Sequence, residues 1–123
     1  MRRIELQPDS IEIVLTGLTM IGALQGRLVI PYANIRAVYP ELHLPPHLLR
    51  MGGTAIGPIH EGHYIGEGGW YFLSYENANR VMTLDLEGFR LGRLPYLGIA
   101  IEVDDPASMA ASLLTRLNAV PRE

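Results

Sequence analysis

A mainly β fold with one C-terminal α-helix is what this sequence predicts, and three observations carry the prediction. Short β-branched and aromatic runs recur between turn residues, beginning with Ser10-Ile11-Glu12-Ile13-Val14-Leu15. Two such runs, Trp70 to Tyr75 and Arg80 to Leu86, flank the polar turn Glu76-Asn77-Ala78-Asn79 and read as a β-hairpin. Beyond Asp104-Asp105-Pro106 the pattern changes to Met109, Leu113, Leu114 and Leu117 at helical spacing.

Taken in order, the first strand spans Ser10 to Leu15 after the turn-like Gln7-Pro8-Asp9. Leu18 to Leu24 is apolar and punctuated by glycine, and periodicity leaves it open between a short helix and a strand. Arg27 to Tyr39 reads as two strands or one bent strand, because Pro31 cannot donate to a ladder. Residues 40–69 hold Pro40, Pro45, Pro46 and Pro58 and more than half of the thirteen glycines, so they are expected to be mostly loop, with a short strand at Gly62 to Ile65. In the hairpin, Met82, Leu84 and Leu86 are expected to face the core. A last strand runs from Tyr96 to Val103. The helix then starts with a carboxylate at its N-cap and a proline at its first position, and Pro121 is expected to close it.

The 123 residues fit one domain, 1–123, and 48% hydrophobic against 19% charged residues is enough apolar surface to fold and too little charge for disorder. Net charge is -3, and the ten basic residues, all arginine, form no block, which argues against nucleic acid or an anionic bilayer as partner. Absence of cysteine excludes disulfides, thiolate metal sites and cysteine nucleophiles. The N-terminal residues lack the apolar stretch of a signal peptide, and no window approaches the roughly 20 apolar residues that cross a bilayer, so the expected location is the cytoplasm.

The proline-containing segment Leu28 to Val38, Gly53-Thr54 through Gly62, Gly69 to Leu86 and Ile99 to Leu117 come in an order that resembles the bacterial pleckstrin-homology-like (PH-like) domains. The resemblance implies a bent seven-stranded barrel capped by the C-terminal helix, a scaffold that binds peptides, proteins or other groups through its loops and edges and carries out no reaction. Phosphoinositide-reading relatives carry a basic strand-loop-strand near the N-terminus. The matching region here, Ser10 to Arg27, offers only Arg27, so direct phosphoinositide binding is not expected.

Four histidines, His43, His47, His60 and His63, fall within twenty-one residues, and with Glu61 they suggest a metal site. Two prolines inside His43-Leu44-Pro45-Pro46-His47 prevent a helical pair, and Gly62 does the same for the second pair. Gly66-Glu67-Gly68-Gly69 precedes an aromatic strand rather than a helix, which suits a turn and not a phosphate loop. Ser10, Ser74, Ser108 and Ser112 lie in strand or helix patterns without a nucleophile-elbow sequence, and helix capping accounts for Asp104 and Asp105.

The expected function is therefore a non-catalytic binding or assembly module without a cofactor, acting on a protein partner or by homo-oligomerisation. Its expected contact surfaces are the Glu41 to Gly69 loop and an edge strand, with Trp70, Tyr71, Tyr75, His60 and His63 as contact residues. The alternatives are a metal-dependent hydrolase built on His43, His47, His60 and His63, and a small-ligand carrier.

Overall fold

A computed structural model describes residues 2–23 and 25–119. The expectation that Pro121 ends the last helix lies outside the described residues. Two sheets share a core. The smaller is an antiparallel meander of β1 (Arg2–Leu6), β2 (Ser10–Leu15) and β3 (Arg27–Pro31), with the short helix α1 (Gly17–Ala23) between β2 and β3. Strict alternation places Ile11, Ile13 and Leu15 of β2 and Leu28 and Ile30 of β3 in the core. Pro31 ends β3, one 3-10 turn (Tyr32–Asn34) redirects the chain, and β4 (Ile35–Tyr39) joins the other sheet. The break expected at Pro31 is thus the passage between sheets.

The larger sheet contains β5 (Leu49–Ile56), β6 (Ile59–Gly66), β7 (Gly69–Tyr75), β8 (Val81–Leu86) and β10 (Leu94–Glu102), in the order β4-β8-β10-β7-β6-β5, with β9 (Arg90–Leu91) paired to the start of β10. One face carries Phe72, Met82, Leu84, Leu86, Ile99 and Ile101 into the shared core against the smaller sheet. The other face carries Tyr64, Leu73, Tyr75, Val81 and Ala100 and is covered by Leu42, Leu44 and Leu48 of the irregular segment after β4. Thr83 fastens that segment: its hydroxyl donates to the Glu41 carbonyl at 2.7 Å and accepts the His43 N–H at 3.1 Å.

Several expectations are corrected here. The bent seven-stranded barrel is not formed: among the described residues no ladder joins the two sheets, because the turn after Pro31 hands the chain over without hydrogen-bonding β3 to β4. The C-terminal helix is accompanied by a second one, α1. Most of residues 40–69 is strand and not loop, since β5 and β6, eight residues each, pair with one another and β6 returns into β7 at Glu67-Gly68. The strand β1 was not anticipated.

Nor are β7 and β8 a hairpin, because β10 lies between them, parallel to β7 and antiparallel to β8. This strand is apolar on both sides, with Ile99 and Ile101 facing one core cluster and Ala100 the other, so burial drives it to the sheet centre. The β7–β8 connection straddles its end. Glu102 accepts the N–H groups of Glu76 and Asn77 at 2.7 and 2.9 Å, and Val103 N–H donates to the Arg80 carbonyl at 2.9 Å.

Helix α2 (Pro106–Ala119) starts as the sequence indicates: the Asp105 carboxylate accepts the Ser108 N–H at 3.1 Å, and Pro106 occupies the first turn. It packs on β4, β8 and the Tyr32–Asn34 turn. Its buried stripe is Ala110, Leu113 and Leu117, flanked by half-buried Met109, whereas Leu114, expected on that stripe, is 42% exposed.

Candidate functional site

The contact residues read from the sequence do not converge. Alternation along β7 puts Trp70 on the face toward the smaller sheet, its ring stacked 6.2 Å from that of Tyr96, and puts Tyr71 and Tyr75 on the opposite face. His60 and His63, three apart on β6, divide in the same way. His60 approaches the Tyr64 hydroxyl at 3.3 Å and the Tyr75 ring at 5.1 Å. His63 Nδ1 lies 2.6 Å from the Tyr96 hydroxyl and its ring 5.2 Å from that of Phe72. His43 stacks on Tyr39 at 3.9 Å, and exposed His47 has a φ of 64°. Among the described residues no three histidine, aspartate or glutamate side chains are placed to hold a metal ion.

What the fold does bring together is a charged network at the start of β1. The Arg2 guanidinium pairs with the buried Glu61 carboxylate and donates to the Ser74 hydroxyl at 2.8 Å, while Ser74 donates to Glu61 at 2.6 Å. Glu102 lies 3.9 Å from the same guanidinium. Removal from water pushes the Glu61 carboxyl above its ordinary value, against the Ser74 hydrogen bond and the Arg2 charge. Burial acts on Glu102 in the same sense, but the N–H groups of Asn77 and Glu76, with Arg2 and Arg80, outweigh it and hold that carboxyl low. Every polar atom of Ser74 and Glu61 is thus committed to a neighbour, which makes the network an anchor for β1.

Anchored there, β1 runs antiparallel to β2, from Arg2 opposite Leu15 to Leu6 opposite Ile11, and pairs with no other strand among the described residues. A groove of about 610 Å³ lies between β1 and the first turns of α2. Ile4, Leu6 and Met109 supply apolar lining, Ser108 and Ser112 line the helix side, and Asp104 and Asp105 stand exposed at one end. At the other, Tyr32 donates to the Gln7 carbonyl at 2.5 Å, and Arg116 points at the same oxygen from 3.5 Å. Alternate residues of an antiparallel strand turn N–H and C=O away from their partner, so five residues present a peptide edge roughly 17 Å long. The sequence carried one signal of this, the alternation of Ile4 and Leu6 with Arg3 and Glu5.

The chain matches no protein-family model, no curated protein and no solved structure. No helix among the described residues is long and apolar enough to cross a membrane.

Proposed function

We propose that this chain is a non-catalytic binding module that takes up an extended segment of a partner polypeptide alongside β1, in the groove beneath α2. The supporting observation is the coincidence of an unpaired strand edge with a groove of peptide dimensions lined by Ile4, Leu6 and Met109. Strand addition draws its affinity from main-chain hydrogen bonds and its selectivity from pockets that take every second side chain. Both signs of charge line the groove, Arg2 and Arg3 on β1 and Glu102, Asp104 and Asp105 ahead of α2, so polar side chains of the segment find partners of either kind. A PH-like kinship is part of the same proposal and draws its support from the mainly β fold with a C-terminal helix alone.

A random peptide library displayed against the full chain tests this. Selected peptides should lose at least tenfold in affinity against Ser108→Arg and Ser112→Arg, which fill the groove from an exposed helix surface. Methylating backbone nitrogens of such a peptide one at a time should weaken binding at alternate positions only. Failure to select any binder sensitive to these two variants would refute the reading, as would tolerance of methylation throughout.

A further inference from the structure

Of the nine large apolar side chains exposed among the described residues, six lie on two elements, α1 and β5, the others being Val29, Leu94 and Leu114. Leu18 and Ile21 of α1 and Leu49, Met51 and Ile56 of β5 leave between 60% and 87% of their surface in water, while Met20 turns to Gly26 on the other side of α1. The two elements are neighbours: the Thr54 hydroxyl of β5 donates to the Gly22 carbonyl of α1 at 3.0 Å. Helix α1 carries no charged side chain, and the single one of β5, Arg50, turns its guanidinium onto the Gly53 carbonyl at 2.8 Å. Strand β5 is also an edge of the larger sheet. Edges left to solvent are ordinarily protected by charge or proline; here a bulge between Arg50 and Gly52 is the device present, beside uncovered leucine, methionine and isoleucine.

We infer that the α1–β5 edge is the seat of a second copy of this chain, packed about a two-fold axis. These five residues leave on the order of 600 Å² in water, at the top of what monomers ordinarily expose in one patch and approaching the roughly 800 Å² that each partner contributes to a stable interface. Apart from Arg50, held on the Gly53 carbonyl, the patch carries no charge to oppose a second copy, whereas the rest of this acidic chain repels its own kind. Helix α1 is tied to β5 at Thr54, in the second half of the strand, so a two-fold axis through the middle of β5 sets α1 of one copy beside the Leu49 half of the other. The bulge and the Arg50–Gly53 bond interrupt a backbone ladder, which makes the contact one of side chain against side chain. This edge is distinct from the groove beside β1 and draws on different residues.

Sedimentation velocity from about 1 to about 100 µM decides the matter, since self-association follows concentration. The full chain should sediment at twice its monomer mass. Leu18→Glu with Ile21→Glu, and separately Leu49→Arg, should raise the dimer dissociation constant at least tenfold. Circular-dichroism melts should stay unchanged when read on monomeric samples, because these side chains lie in water. A monomer across the whole range would overturn the inference, as would a dimer that both variants leave intact. A chain that is monomeric in solution but floats with phosphatidylcholine vesicles would assign the same edge to a lipid surface instead, and would equally overturn it.

Discussion

Gly53 and Gly62 lie directly opposite each other in the β5–β6 pair, both at positive φ, so close that neither can carry a side chain. A Cβ on Gly53 would stand 2.0 Å from the Glu61 carbonyl oxygen, and one on Gly62 would stand 2.1 Å from that of Gly52. Both obstacles are backbone, which cannot swing aside. Gly53→Ala or Gly62→Ala should therefore cost more than about 2 kcal/mol, strain and steric clash acting together. Gly57, at the turn with nothing near its missing Cβ, should lose only about 1 kcal/mol as alanine. Urea melts of the three variants check the order, and equal losses would refute the close-approach account.

The helix stripe makes a sharper comparison. Leu113 is fully buried and Leu114 is not, although the sequence places both on one apolar face. Leu113→Ala should cost roughly 2 to 5 kcal/mol and Leu114→Ala under about 0.5 kcal/mol in denaturant melts. A small loss at Leu113 would detach α2 from the core.

Glu61 and Glu102 flank one guanidinium yet should respond to pH in opposite senses. A carboxyl raised on folding binds more protons in the native than in the unfolded state, so stability falls as pH climbs from the ordinary value of 4.5 through the raised one. The stability of the wild type relative to Glu61→Gln should therefore decline over that interval. Glu102, held low, contributes stability above its ordinary value and loses it as pH falls through the lowered one. Glu102→Gln should be damaging near neutrality and harmless in acid. Urea melts at about pH 2.5, about pH 4.5 and about pH 7 separate the two, and parallel trends would show that the Arg2 pair governs Glu61 as well.

His63 tests the histidines without presuming a ligand. Its 2.6 Å contact satisfies the buried Tyr96 hydroxyl, so His63→Ala should cost about 1 to 3 kcal/mol. Chelator should leave the melting temperature of the wild type unchanged. A fall of several degrees on chelation would make the histidines metal ligands after all.

How far the sequence reached depended on the range of the interaction that decided each element. Local devices were legible: the alternation of Ile11, Ile13 and Leu15, the break at Pro31, and the Asp105-Pro106 start of α2 each act within a few residues. The glycines of residues 52–62 misled, because the same residue serves turns and close strand approach, and only the partner strand distinguishes them. The tie from Arg2 to Glu61 spans 59 positions and left no mark near either residue. The groove beside α2 was invisible for the same reason, since it requires β1 and α2 to be placed in space first. Trp70, Tyr71, Tyr75, His60 and His63 were grouped by proximity in the chain, and strand alternation sorted them to two faces.

The central position of β10 carries a consequence for a chain emerging from the ribosome. When β8 has been synthesised, β7 and β8 already exist, but the seam between them is open and both lips are apolar. Pairing them with each other would give a tempting, wrong hairpin, the very one their sequence suggests. That trap is released only when Leu94–Glu102 arrives and wedges in, parallel to one lip and antiparallel to the other. Productive folding thus waits for nearly the whole chain, and nascent fragments ending before residue 94 should be held by chaperones or cleared by proteases rather than released as stable intermediates.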